Sequence, residues 1–265
     1  MTPKIAILKT ISHEADNVKG FTFNFNNLNS QPGQFVMLWL PGVDQKPFSI
    51  AADNGKTFTT VVFKLKNFTT ALFKLKPGAK VGVSGPYGNP YTWKPKQHVI
   101  AVGGGYGAAP LVYLINTVKK QQCSYELLVG ARTKDLLLYT DHFPKHTFLS
   151  TNDGSTGYKG FITGVLEQRL QTITKTQLKH TTVYVCGPEP MEYAVAMLAK
   201  KYGVESQISV ERYMKCGFGV CGQCCMDDTG EPMCQVGPVI TGKKALSLTE
   251  FGKYHRDKSG QIINY

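Results

Sequence analysis

Five of the chain's seven cysteines lie in one stretch, CGFGVCGQCCMDDTGEPMC, from Cys216 to Cys234. No other feature limits the fold as strongly, because these thiols must hold a metal group, form disulfides or carry electrons. Cys216, Cys221, Cys224 and Cys234 follow the spacing C-x4-C-x2-C-x9-C. Structural zinc sites prefer two separated knuckles of the C-x2-4-C type. Here Cys221 and Cys224 make one, but Cys216 and Cys234 do not pair into another. Cys225 adjoins Cys224, and adjacent residues in an extended loop point apart, so Cys225 is expected to be a small buried side chain or a spare thiol.

The first three of these cysteines have the C-x4-C-x2-C spacing of plant-type ferredoxins, which ligate a [2Fe–2S] cluster. The glycine-rich loop can wrap a compact cluster and aim backbone N–H groups at its sulfurs. The spacing therefore favours Cys216, Cys221, Cys224 and Cys234 as iron ligands, with zinc and disulfides as open alternatives. The N-terminus, MTPKIAILKTISHEADNVKG, has no signal-peptide pattern. The least polar stretch, residues 98–115, is interrupted by glycines and a proline and makes a poor membrane span. A soluble cytoplasmic protein is expected, and in that compartment clustered cysteines are more often metal ligands than disulfides.

Before the cysteines the chain changes pattern once. Residues 1–97 read as short strands rich in β-branched and aromatic residues and separated by turn formers, the signature of a small antiparallel barrel. Its one expected helix is Phe68 to Lys76. Residues 98–206 alternate strand and helix, which predicts a parallel sheet. In the helix APLVYLINTVKKQ, Leu111, Leu114, Ile115 and Val118 share a face. The long helix from Glu189 is expected to stop at Gly203, a C-cap. Residues 207–265 are the cysteine module and a polar, basic tail.

VGGGYGAAP joins a strand to a helix, and Gly103, Gly105 and Ala108 match G-x-G-x-x-G/A. Such a turn lets the backbone approach a pyrophosphate at a helix N-terminus. The acidic residue that usually follows is displaced: Glu126 falls inside the next strand rather than at its end. CGPEPM, from Cys186, repeats the strand–turn–helix arrangement where open α/β sheets bind ligands. Formal net charge is +12, which suits phosphates, anionic cofactors or an acidic partner. The lysines are dispersed, in no run longer than two, and there is no arginine-rich helix, so neither nucleic acid nor membrane is the expected partner. The six histidines show no ligand spacing.

Taken in order, KPFSIA, GPYGNPY, VGGGYGAAP and CGPEPM resemble the ferredoxin–NADP reductase superfamily. That resemblance implies a flavin-binding barrel and an NAD-binding α/β domain. Lys46, Pro47, Phe48 and Ser49 match the flavin motif, with lysine where the superfamily has arginine; the charge is kept and the planar fork lost. A second flavin motif falls near Phe68 to Thr70, without its glycine, so Thr69 or Thr70 would supply the hydroxyl. Phe63, Lys64 and Leu65 would lie along the FAD. Gly103, Gly105, Gly107, Cys186 and Gly187 would line the NAD site.

With the cysteine module added, ERYMKCGFGVCGQCC and MCQVGPV are similar to the electron-transfer subunits of dihydroorotate dehydrogenase B. The layout is shared with subunits of cytoplasmic sulfhydrogenases and anaerobic sulfite reductases. The resemblance implies a partner FMN-containing dihydroorotate dehydrogenase catalytic subunit, two of each in a heterotetramer, in pyrimidine biosynthesis. Electrons would pass from the partner through the cluster and FAD to NAD+. No general base or nucleophile is expected, because the cofactors carry the chemistry. A reading of another class, a zinc-stabilised nucleic-acid-binding protein, stays open on the sequence.

Overall fold

Alternation sets the first half of the molecule. The computed structural model describes residues 2–265. Strands β1 (Lys4–Ala15), β2 (Val18–Asn24), β3 (Phe35–Leu40), β4 (Asp44–Asp53) and β5 (Thr57–Phe63) are followed by helix α1 (Asn67–Phe73) and strand β6 (Lys80–Tyr87). They close a barrel in the order β1-β2-β5-β4-β3-β6 with every pairing antiparallel. In β5, Phe58, Thr60 and Val62 point inward while their neighbours stay half exposed, the period-two pattern of a sheet wet on one side. Phe21, Phe23, Phe58, Leu8 and Leu38 fill the interior. The expected helix is present, and α1 closes one end with buried Phe68 and Leu72.

The second half is a mostly parallel sheet. Its elements are β7 (His98–Gly104), α2 (Ala108–Val118), β8 (Ser124–Ala131), β9 (Thr147–Thr151), β10 (Tyr158–Lys159), α3 (Ile162–Thr172), α4 (Lys175–Leu178), β11 (Thr181–Cys186), α5 (Glu189–Tyr202) and β12 (Glu205–Ser209). After the cysteine loop come α6 (Met233–Val236), β13 (Val239–Thr241), α7 (Gly242–Ser247), β14 (Tyr254–Arg256) and β15 (Ile262–Asn264). The sheet order is β10-β9-β8-β7-β11-β12-β13, with β13 antiparallel at the edge. The central strands β7 and β11 are buried along almost their whole length, as strands covered on both faces must be. The expected face of α2 is buried at Leu111, Leu114, Ile115 and Val118. Helix α5 stops where the sequence places its cap: Gly203 is left-handed (φ 65°), and its N–H returns to the carbonyls of Ala199 and Lys200.

Two features depart from the segment-by-segment reading. The sheet runs past residue 206 through β12 and β13, so the division drawn there falls inside a strand. The polar tail is folded, with β14 and β15 forming an antiparallel hairpin. Asp227, next to the cysteines, anchors it: Arg256 donates from Nε to Oδ1 at 2.8 Å and from Nη2 to Oδ2 at 2.9 Å, and Tyr254 Oη donates to Oδ2 at 2.9 Å.

Candidate functional site

The cysteine loop lies between the barrel and the sheet. Gly217, Gly219 and Gly222 all have positive φ, a conformation that costs glycine little. At Gly217 a Cβ would meet Met37 Cγ at 2.8 Å, so the loop rests directly on strand β3. Phe218 packs against Tyr87 of β6, ring centroids 6.3 Å apart. On the other side Cys224, Met226, Met233 and Cys234 join the apolar core of the α/β domain.

The four expected ligands fall into two pairs. Cys216 and Cys221 are close enough to influence each other's thiol, and Cys234 N donates to Cys224 Sγ at 3.4 Å. Burial alone would raise the Cys216 thiol, but N–H groups of Cys221, Phe218 and Val220 bring it down to about 6, the arrangement that stabilises a thiolate. Burial, with Cys224 alongside, pushes Cys234 up to about 12. Among the described residues no three His, Cys, Asp or Glu side chains gather as a single ion requires. A tetrahedral zinc needs four ligands around one point; a binuclear cluster needs two pairs. The paired sulfurs and their N–H donors fit the cluster. Cys225 is half buried, its thiol raised by burial and by neighbouring Cys224 and Cys221.

Beside this loop a cavity of ≈ 260 Å³ opens in the seam between barrel and sheet. Phe35, Pro47, Phe48, Ser49 and Val61 line the barrel side; Cys186, Ser209, Glu211, Arg212, Met214 and Pro238 line the other. An apolar wall facing a polar one fits a flat amphipathic ring such as flavin. Burial and the Glu189 charge raise Glu211, which is open to the cavity yet densely surrounded by protein. Arg212 ion-pairs with Glu189 at 2.5 Å and lies 3.5 Å from Glu250. Met214 and Pro238 flank the cysteines, so the loop and the cavity share a wall.

A second cavity, ≈ 640 Å³, lies at the C-terminal ends of the parallel strands. Gly104 ends β7 and Gly105 follows it, Gly130 and Ala131 end β8 and Arg132 follows it, Asn152 follows β9, and Pro188, Pro190 and Met191 begin α5. This is where open α/β sheets bind ligands. Tyr106 stacks on Phe63 at 6.0 Å and lines both cavities. Nearby, Glu192 is fully buried. Burial, reinforced by the Glu211 charge, pushes its carboxyl well up; Oε1 accepts from Gly187 N at 3.1 Å and Oε2 has no partner.

Several expected residues take other positions. Pro47, Phe48, Ser49, Phe63, Leu65 and Thr69 line the smaller cavity, whereas Lys46, Lys64 and Thr70 do not. The Lys46 ammonium bonds Tyr213 Oη at 3.0 Å and Asp44 at 2.8 Å. The Thr69 hydroxyl accepts from the N–H groups of Leu65 and Lys66, stapling the start of α1. Gly103 lines neither cavity: a Cβ there would fall 2.7 Å from Ala108 Cα, so it permits close strand–helix packing. Gly105 lines the larger cavity with positive φ and open space around it. Gly107 and Cys186 line the smaller one, and a Cβ on Gly107 would sit 2.4 Å from Cys186 O. Gly187 presses on Gly104 and Met191. Sequence reasoning missed Tyr106, Arg132, Asn152, Glu211, Arg212 and Met214. Only Arg132 carried a signal, as the polar residue at the end of the strand after the glycine turn.

Comparison with known proteins bears on these sites directly. Residues 101–197 match the family model described as an oxidoreductase NAD-binding domain. Residues 211–245 match the iron-sulfur cluster binding domain of dihydroorotate dehydrogenase B. A protein of Methanocaldococcus jannaschii, named "Probable dihydroorotate dehydrogenase B (NAD(+)), electron transfer subunit", is 43% identical over 99% of both chains. One of Thermococcus kodakarensis with the same name is 41% identical over 92% of this chain and 99% of its own. Among solved structures, an NADH-dependent reduced ferredoxin-NADP oxidoreductase superposes with TM-score 0.81 at 26% identity, covering 91% of this chain and 89% of that one. Phthalate dioxygenase reductase shares the fold at TM-score 0.66 and 13% identity, over 82% of this chain and 71% of its own. The zinc-stabilised nucleic-acid reading and the sulfhydrogenase or sulfite reductase reading give way to these matches. The chain belongs to the family of dihydroorotate dehydrogenase B (NAD(+)) electron transfer subunits.

Proposed function

We propose that this chain carries electrons from a partner subunit that oxidises dihydroorotate, through a [2Fe–2S] cluster on Cys216, Cys221, Cys224 and Cys234, to FAD and then NAD+. The observation that carries the reading is the shared wall: Gly217 rests on Met37, while Met214 and Pro238 line the cavity beside the loop. Bound there, the cofactors supply one-electron and hydride chemistry. The chain's own residues set distance and surroundings. Pro47, Phe48 and Ser49 hold one face of the smaller cavity, and the loop glycines let N–H groups reach the cysteine sulfurs. Tyr106 forms a common wall between the two cavities, and Gly105 opens the backbone to a pyrophosphate.

Cys221 is exposed and Cys216 half buried, while Cys224 and Cys234 are buried. The first pair therefore faces outward, and Val220 beside it is 76% exposed. The partner is taken to be an FMN-containing catalytic subunit that docks over this edge, two copies of each forming the complex in the cytoplasm. Copurification followed by an assay of NAD+ reduction by dihydroorotate tests the reading. About two irons per chain and dihydroorotate-dependent NADH are expected; NADH formation without this chain would overturn it.

A further inference from the structure

The arm that leads to the first cluster ligand is fastened by its side chains. Val210 N bonds Pro238 O at 3.0 Å and Cys225 N bonds Gly222 O at 3.1 Å; between them no backbone N–H reaches a backbone carbonyl among the described residues. Glu211 to Lys215 belong to no helix or strand. A segment without backbone bonds opens at low cost unless other contacts hold it. Two neighbouring side chains do so on opposite sides. Arg212 pairs with Glu189 and Glu250 in the α/β domain, whereas Tyr213 reaches the barrel.

On the barrel side Tyr213 meets Lys46. The ammonium donates to Tyr213 Oη at 3.0 Å and pairs with Asp44 Oδ2 at 2.8 Å. Two of its three donors are thereby used within the protein, and its side chain does not line the smaller cavity. Lys215 lies on the same side: the Lys46 hydrogen bond holds the Asp44 carboxyl low, and the Lys215 charge adds to the effect. Strand register fixes what the Lys46–Tyr213 bond connects. Lys46 faces Leu38 across β3 and β4, and Pro47 faces Met37, on which Gly217 rests. Pro47, Phe48 and Ser49 line the smaller cavity. The arm therefore meets the cavity-lining stretch of the barrel at two adjacent positions, one on each side of Cys216.

We infer that Lys46 is a positioning residue for electron transfer: through Tyr213 it ties the strand that lines the flavin cavity to the arm of Cys216, and so sets the spacing between flavin and cluster. The inference rests on the FAD and [2Fe–2S] sites proposed above. Electron transfer weakens steeply with distance, so a residue that touches neither cofactor governs it by holding this seam closed. Lysine suits the role. Arginine would present a rigid planar fork matched to phosphate or carboxylate, whereas the ammonium is a compact charge with rotatable donors, which a carboxylate and a phenol hydroxyl satisfy side by side.

The test compares Lys46→Met, Tyr213→Phe and the double variant with wild type in the purified complex. The Lys46 side chain is 26% exposed, so solvent screens the bond, and its loss is expected to raise the population of the open arm by about fivefold. Iron loss to a chelator reads that population. It is expected to run about fivefold faster in each single variant, and no faster in the double variant, because both substitutions remove the same bond. The EPR lines of the chemically reduced cluster are expected to broaden in both single variants, as Cys216 samples more positions. FAD release, followed by fluorescence, is expected to stay within about threefold of wild type. Melting curves with equal midpoints separate this local opening from global unfolding. If Lys46→Met speeds FAD release by about tenfold or more while iron loss and line width are unchanged, Lys46 is a flavin ligand and the inference is wrong. Effects of the two substitutions that add in the double variant would equally overturn it, since the residues would then act through separate contacts. If the wild-type complex holds neither FAD nor iron, the proposed function fails and takes the inference with it.

Discussion

Arg212 is the residue whose loss the structure predicts most sharply. Its side chain is 6% exposed and sits between Glu189, 2% exposed, and Glu250, 3% exposed. Glu189 Oε1 also accepts from Gly252 N at 2.9 Å. One guanidinium thus joins the start of α5, the irregular segment between β12 and the cysteines, and the segment before the C-terminal hairpin. Replacing it with methionine keeps the length and removes the charge, leaving two carboxylates in a low-dielectric interior. Breaking a buried pair in this way costs about 3–5 kcal/mol, because an uncompensated charge remains. For a chain of this size that corresponds to an apparent melting point lower by about 6–20 °C. Circular dichroism melts at pH 7 measure the loss, and flavin and iron content report whether the cavity wall and loop survive. Two further results are required. The deficit must shrink as pH is lowered, since protonating the orphaned carboxylates removes their charge. The triple variant Arg212→Met, Glu189→Gln, Glu250→Gln must recover much of the loss, because the charges go together. A loss under about 1 kcal/mol, the level of a surface ion pair, would show that the network is not the buried clamp it looks to be.

Other perturbations separate the roles of individual residues. Cys224→Ser is expected to abolish iron binding, whereas Cys225→Ser keeps about two irons per chain, measured by metal analysis and visible absorption. Gly107→Ala places a methyl against Cys186 O, where the ideal distance is 2.4 Å, and is expected to cost about 1–3 kcal/mol of stability, seen as a lowered melting point. Glu192→Gln keeps the acceptor for Gly187 N and removes the ionisable group. The folded-state pKa of Glu192 lies above its unfolded value, so the folded state holds the extra proton and wild-type stability falls as pH rises from about 4.3 toward that higher value. The variant is therefore expected to match wild type in acid and to gain on it with rising pH, and parallel melts across that range would show it. The Arg256 hydrogen bonds, opposed by partial burial, hold Asp227 low, so the tail clamp is complete above the usual carboxylate range and is lost as pH falls through the lowered value. Because Arg256 is 43% exposed, solvent screens the clamp, and its loss is expected to show as faster hydrogen exchange in residues 254–265 at acid pH.

What the sequence made legible was local. Period-two alternation marked the barrel strands, Gly203 marked the end of α5, and the apolar face of α2 was spelled out by Leu111, Leu114, Ile115 and Val118. The thiol spacing marked the four cysteines that the structure draws into two pairs. Contacts between distant segments left no such trace. Glu189, Arg212 and Glu250 form one network although each looks like an ordinary surface charge in its own stretch, and burial is what gives the charges their importance. Lys46 shows the same from the other side: it stands in a flavin-like motif, and its ammonium bonds Asp44 and Tyr213, contacts its own stretch of sequence does not announce. A motif fixes where the backbone goes; the residues that fold back from elsewhere decide which side chains remain free.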